Sequence, residues 1–202
     1  GDSKGVGGDM IELLNCDCMD YMAGLPDKTF DLAIVDPPYG IGFDGENLSM
    51  TVGLRKDGTY RQAQTWRTRS VENQKYTKKE WDSKRPISDY FNELLRVSKK
   101  TIIWGGNYFT DFLFPSGGWI IWDKKTPADF SLSDCELAWC SFGGSTKIFR
   151  WLWAGYCKQQ PEIRIHPTQK PLALYSWILT NYAKPGDKIL DTHLGSGSSA
   201  IA

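Results

Sequence analysis

The sequence predicts a doubly wound α/β sheet with an antiparallel edge. Three observations carry this. Residues 30–35 (FDLAIV) and 101–104 (TIIW) are short, unbroken apolar runs, as strands buried on both faces of a parallel sheet must be. Stretches with helical spacing alternate with such runs, which is the βα rhythm of an open parallel sheet. Three further strand-like runs, 119–122, 136–142 and 148–153, follow in close succession, as an antiparallel edge would.

Each element can be justified in order. Residues 1–9 are Gly-rich and polar and read as a tag remnant or disordered tail. Residues 10–16 (MIELLNC) read as a short strand, and 18–25 as a helix closed by Pro26. The strand at 30–35 runs into Asp36-Pro37-Pro38-Tyr39-Gly40, where two prolines stop strand and helix alike. Residues 41–82 show no periodicity, and a stretch of that length is usually functional or mobile. A helix is expected over 83–99, with Ser83 as cap and Pro86 in the first turn. The strand at 101–104 ends in Gly105-Gly106-Asn107, followed by a short helix at 108–113. A helix at 172–183 ends in Lys184-Pro185-Gly186, and the strand KILD at 188–191 opens into the loop His193-Leu194-Gly195-Ser196-Gly197.

Bulk properties exclude several classes. With 202 residues, 41% hydrophobic and 24% charged, the chain suits one globular domain over 10–202. No apolar run approaches the ~20 residues of a membrane helix, and no secretory leader is expected. Five cysteines without regular spacing suit a reducing compartment, the cytoplasm. Cys16 and Cys18 lack a second ligand pair, so no metal site is expected. The net charge of zero conceals an asymmetry. From residue 55 to 85, ten basic residues face four acids, a surplus of six. Such a patch suits a polyanion.

Two constellations carry chemistry. The first is Asp36-Pro37-Pro38-Tyr39 at the carboxyl end of a buried strand, where open α/β sheets bind ligands. Pro37 and Pro38 fix the backbone, so a peptide carbonyl is held toward the cleft beside the Asp36 carboxylate. Tyr39 adds a flat ring with a polar tip. Two acceptors and a stacking surface fit the exocyclic amine of a planar base. The second is Asp191 followed by His193-Leu194-Gly195-Ser196-Gly197-Ser198-Ser199. Small residues between strand and helix let a ligand approach the backbone. Gly195, Gly197 and Ala200 also fit G-x-G-x-x-A. That match alone would suit a nicotinamide oxidoreductase, but it leaves the other motifs unexplained.

Asp36-Pro37-Pro38-Tyr39, the glycine loop, and His166-Pro167-Thr168-Gln169-Lys170-Pro171 together resemble the permuted-order (beta-class) DNA amino-methyltransferases of phage and bacteria. The resemblance spans nearly all of residues 10–202. It implies a Rossmann-like methyltransferase fold binding S-adenosyl-L-methionine. On it, Asp191, Gly195, Ser196 and Gly197 surround the methionine part of the cofactor. Thr168 and Lys170 close over its amino-acid end, and Asp17 falls beside its adenine. Asp36, Pro37, Pro38 and Tyr39 hold the target amine. The family usually has Pro-Phe after the loop aspartate. Here Thr192-His193 stand instead, which makes His193 a cofactor-wall residue rather than a base.

The resemblance also implies a further strand after the glycine-loop helix, between the strands at 188–191 and 10–16. The chain ends at Ala202, so the expectation is a C-terminally incomplete domain that binds S-adenosylmethionine weakly.

The expected substrate is double-stranded DNA with its target base flipped out, methylated at adenine N6. Restriction-modification, with a cognate nuclease as partner, is the expected context. Arg55, Lys56, Arg61, Arg67, Arg69, Lys75, Lys78 and Lys79 are the expected DNA contacts, mixed with Tyr60, Trp66, Tyr76 and Trp81. Two alternatives stay open: cytosine N4 as the target, and a catalytically silent nucleic-acid-binding subunit, the latter suggested by Thr192-His193. Only about a dozen residues precede the HPTQKP block where such enzymes read their target, so short or relaxed sequence specificity is expected.

Overall fold

The computed structural model describes residues 10–41, 82–126, 133–154, 157–160, 162, 165–166 and 168–202. Its strands are β1 Phe30–Val35, β2 Ser98–Trp104, β3 Trp119–Asp123, β4 Cys135–Cys140, β5 Lys147–Arg150, β6 Trp153–Ala154, β7 Cys157–Lys158 and β8 Ile189–Leu190. Six of them form a central mixed sheet in the order β5-β3-β4-β2-β1-β8. The short strands β6 and β7 form a separate antiparallel pair.

The sheet's middle is parallel. β1 pairs with β2 on one side and β8 on the other, both in parallel register. Side chains alternate across the plane. Leu32 and Ile34 enter one buried cluster with Trp104, Trp122 and Ile120, while Ala33 and Val35 enter a second with Phe91, Ile103 and Trp139. Both faces are therefore covered, and the unbroken apolar runs follow from that.

Three helices provide the cover. α1, Cys18–Ala23, begins at Asp17, whose Oδ1 accepts the Met19 amide at 2.7 Å, and ends at Gly24. α2, Ser88–Val97, buries Tyr90, Phe91, Leu94 and Val97 on one stripe. Both pack on the second cluster. α3, Leu172–Tyr182, buries Leu174, Tyr175 and Ile178 against the first. A last short helix, α4, spans Ser198–Ile201. Arg96 fastens α2 to the α1–β1 connection, donating to Met22 O at 2.8 Å, Leu25 O at 2.7 Å and Asp27 at 2.9 Å.

Four expectations need correction. The helix expected from Ser83 begins at Ser88 with Ile87 as its cap, because residues 82 to 85 are used to tie down the neighbouring turns. The helix expected at 108–113 is a 3₁₀ turn at Gly106–Tyr108 followed by further turns. The edge is only partly antiparallel: β3 and β4 are antiparallel, but β5 lies beyond β3 and parallel to it. Residues 141–146 carry the chain past the end of β3, and Gly143 and Gly144 sit there in open space.

The fourth concerns residues 10–16. They form no strand, and Met10, Ile11, Leu13 and Leu14 are exposed. An apolar pattern becomes a strand only where a ladder partner satisfies its backbone, and β8 pairs with β1 alone. The expected contacts Arg55, Lys56, Arg61, Arg67, Arg69, Lys75, Lys78 and Lys79 lie outside the described residues. Among the described residues no helix is long and apolar enough to cross a membrane.

Candidate active site

Because β1, β2 and β8 run parallel, their carboxyl ends share one rim. Asp36 follows β1, Gly105 follows β2 and Asp191 follows β8. β4 runs the other way, so its first residues, including Glu136, reach the same rim. The rim opens into a cleft lined by Asp36, His166, Thr168, Gln169, Lys170, Tyr175, His193, Leu194, Gly195 and Ser196. The DPPY turn, the HPTQKP block and the glycine loop thus meet at one place. About 240 Å³ of empty space lies there, open solvent included.

The DPPY turn is held from three sides. The Asp82 carboxylate accepts the amides of Tyr39 at 2.7 Å and Gly40 at 2.9 Å. The Tyr39 hydroxyl donates to Asp36 Oδ1 at 2.6 Å, and the Lys170 ammonium donates to Asp36 Oδ2. Burial first, then Asp36, pushes the Tyr39 phenol well above its ordinary value, so it stays a proton donor. Tyr39 is not a bare platform: Tyr108 stacks on it, ring centres 4.9 Å apart and planes 16° from parallel. Gly105, at φ +68, lets this ring lie close. A Cβ there would stand 2.2 Å from the Tyr39 Cε1.

Lys170 is the most deeply placed charge of the site, its side chain only 3% exposed. Besides Asp36 it meets Glu136 Oε2 at 3.3 Å, and Glu136 also pairs with Lys124 at 2.7 Å. The Lys170 ammonium lies 5.2 Å from the Trp104 ring centre. Burial alone would raise the Glu136 carboxyl, but Lys170 and Lys124 outweigh it and hold it down to about 2. Burial pulls the Lys170 ammonium down, and Asp36 and Glu136 more than reverse that. Glu136 and Lys170 are therefore both charged near neutral pH.

The glycine loop is folded by its own aspartate. Asp191 accepts the His193 amide at 2.9 Å and the Ser199 hydroxyl at 2.5 Å. Gly197 donates to Leu194 O at 2.8 Å. Gly195 and Gly197 have φ of +55 and +76, and a Cβ at Gly197 would meet nothing within 4 Å. The loop's surface is consequently open to a ligand. The Ser196 hydroxyl is 2.9 Å from that of Ser198. His193 sits 2.9 Å from Thr192 Oγ1 and edge-on to Tyr90, at 5.5 Å between ring centres. Burial pushes its imidazole down to about 4, so it is neutral at pH 7. His166 Nδ1 lies 3.0 Å from the Thr168 hydroxyl and orders the turn that leads to Lys170.

Of the residues singled out from sequence, Asp36, Thr168, Lys170, His193, Gly195 and Ser196 line the cleft. Asp191 lies behind its loop with both oxygens engaged. Asp17 is exposed and caps α1. Asp82, Glu136, Tyr90, Tyr108 and Tyr175 were missed. Each belongs to the site through partners remote in sequence, and only Asp82, an acid at the edge of a basic stretch, gave any local signal.

The comparison with known proteins supplies first a class. Residues 142–202 match the family model described as DNA methylase. The match covers the HPTQKP block and the glycine loop, and not the DPPY turn. Particular proteins extend it. The chain is 23% identical over 211 residues to Type II methyltransferase M2.MboI of Moraxella bovis, covering 92% of this chain and 76% of that one. It is also 23% identical over 214 residues to the methylase YubD of Escherichia coli, covering 96% and 79%. Among solved structures, the M1.HpyAVI–SAM complex is 21% identical, with 95% and 86% coverage and a TM-score of 0.47. The DNA modification methylase TTHA0409 of Thermus thermophilus is 15% identical, with 92% and 80% coverage and a TM-score of 0.48. The family and sequence matches support a DNA methyltransferase.

Proposed function

We propose that this chain is an S-adenosylmethionine-dependent DNA methyltransferase acting on an exocyclic base amine, adenine N6. The observation that carries this reading is the single cleft in which Asp36 faces the glycine-loop residues His193 to Ser196. The residues present fit the cofactor. Positive-φ glycines leave an open surface, His193 offers a neutral wall, and Thr168 adds a hydroxyl. S-adenosylmethionine, when bound, supplies an electrophilic methyl carbon.

The chain's own residues act on the acceptor. A ring amine is a weak nucleophile because its lone pair is delocalised. Each Asp36 oxygen already takes one hydrogen bond, from Tyr39 or Lys170, and keeps a second lone pair free. An amine hydrogen bonded there draws the nitrogen toward tetrahedral geometry and localises its lone pair. That localised pair would be placed to take the methyl group of bound S-adenosylmethionine, whose carbon–sulfur bond would break with its electrons left on sulfur. The nitrogen would then pass its extra proton to solvent water. Fixing the amine in line can by itself lower the barrier by about 7–11 kcal/mol. Extruding the base from the duplex costs a few kcal/mol, and stacking on the Tyr39–Tyr108 pair would return about 1–3. The basic stretch from Arg55 to Lys79 would hold the phosphates, and a cytoplasmic restriction nuclease would be the natural companion.

Tritiated-methyl transfer to unmethylated duplex DNA tests the assignment. We expect transfer by the full chain and its loss in Asp36→Ala. Nucleoside mass spectrometry should then show N6-methyladenine; N4-methylcytosine would correct the base and keep the mechanism. Unchanged transfer in Asp36→Ala would falsify the reading of the turn.

A further inference from the structure

We propose that Lys170 is a positioning residue rather than a cofactor contact: Lys170 and Glu136 together hold the Asp36 carboxylate in the orientation that grips the amine. The proposal rests on the methyltransferase reading above. It starts from where the ammonium goes. A lysine that closes over a cofactor must present its charge to the cleft. Here the side chain is 3% exposed, and its ammonium is committed to Asp36 Oδ2, to Glu136 Oε2 at 3.3 Å and to the Trp104 ring at 5.2 Å. Asp36 takes a hydrogen bond from it, Glu136 forms an ion pair with it, and the Trp104 ring adds a cation–π contact.

The arrangement fixes Asp36 at both ends of its carboxylate. The Tyr39 hydroxyl takes Oδ1 from within the turn, and Lys170 takes Oδ2 from the segment before α3. A carboxylate held at one oxygen can rotate about its side-chain bond. Held at both, it presents its remaining lone pairs in one direction. Glu136 serves the same end from β4. It draws Lys170 from the other side and is itself balanced by Lys124 at 2.7 Å. Two acids and two bases, balanced in formal charge, join β1, β4 and the α3 entry. A buried charge left without its partner is strongly destabilising, so the cluster keeps one geometry.

The test uses the full chain with S-adenosylmethionine and unmethylated duplex DNA. Lys170→Met leaves Asp36 and Glu136 unbalanced. We expect a lower melting temperature and a kcat reduced about 100-fold, the size of effect seen when one preorganised donor is lost, with KM for S-adenosylmethionine little changed. The double variant Lys170→Met/Glu136→Gln removes one charge of each sign. It should regain much of the melting temperature while kcat stays low. Return of kcat together with stability would make Lys170 a structural counter-ion and overturn the proposal. A raised KM for S-adenosylmethionine at unchanged kcat would overturn it too. If the unaltered chain transfers no methyl group, the functional reading fails on its own. A crystal structure of the double variant then decides the positioning claim. An Asp36 carboxylate swung from its present direction supports it, and one that has not moved refutes it.

Discussion

At the scale of single residues, the site depends on groups kept in one protonation state by burial. His193 shows this most plainly. Its imidazole is pushed down to about 4 from an ordinary value near 6.5. The unfolded chain therefore binds a proton that the folded chain refuses between those values. The His193 contribution is complete above pH 6.5 and declines as the pH falls toward 4, by up to ~1.4 kcal/mol per pH unit. Thermal melting between pH 4 and 6.5 should show a slope that flattens in His193→Gln. An unchanged slope would mean that the imidazole is solvated and titrates normally. Glu136, held down to about 2, has its own window at lower pH. Its contribution is present above about 4.5 and fades as the pH falls toward 2. Asp36, Thr168 and Lys170 were legible in the sequence because motif and strand context agree. The partner of Lys170 was not, because Asp36 stands 134 positions earlier. No local pattern reports a contact of that span. Glu136 looked like an ordinary strand residue for the same reason.

At the scale of elements, continuous apolar runs located β1 and the end of β2, since only strands covered on both faces tolerate such runs. But β2 begins three residues earlier, at Ser98, where the helix had been expected to continue. Two elements were misread for reasons of partnership. Residues 10–16 have a strand's composition but no ladder. β5 has a strand's pattern, yet nothing in it tells on which side of β3 it will lie or in which direction. The late start of α2 has a functional meaning. Residues 82 to 87 do not continue the helix, because Asp82 reaches to Tyr39 and Gly40 while Arg85 binds Tyr108 O and Asp111. Asp82→Ala should therefore loosen the DPPY turn. We expect two amides left without an acceptor, each costing about 1–3 kcal/mol when buried, and a loss of methyl transfer larger than that seen in Asp89→Ala on the exposed start of α2. Equal losses in the two variants would deny Asp82 this role.

At the scale of the whole molecule, one sheet rim gathers three sequence blocks that lie far apart in the chain. Parallel pairing of β8 and β1 sets the glycine loop and the DPPY turn side by side, because parallel strands end on the same side, and the segment entering α3 adds the HPTQKP block. The order of the blocks along the chain has no effect on the result, since the rim depends on strand order in space. The fold class was accordingly readable from sequence, as were the three blocks that meet at the rim. The stacking of Tyr108 on Tyr39 was not, because it joins the ends of two different strands.

The Asp82 bond to Gly40 brings the ends of a forty-residue stretch, 42–81, within a single hydrogen bond of each other. Gly40 and Asp82 are thus two fixed neighbouring points that the chain between them has to join. The entropy of closing such a loop changes by only about 0.6 kcal/mol for each doubling. The connection can then be lengthened, shortened or replaced while the Asp36–Gly40 corner stays as it is. Cutting the stretch to a few glycines should leave the melting temperature nearly unchanged. DNA binding should weaken most at low salt and lose much of its salt dependence, because the removed charges are those that displace counterions. A collapse of the fold on excision would show that the rest of the chain depends on residues 42–81.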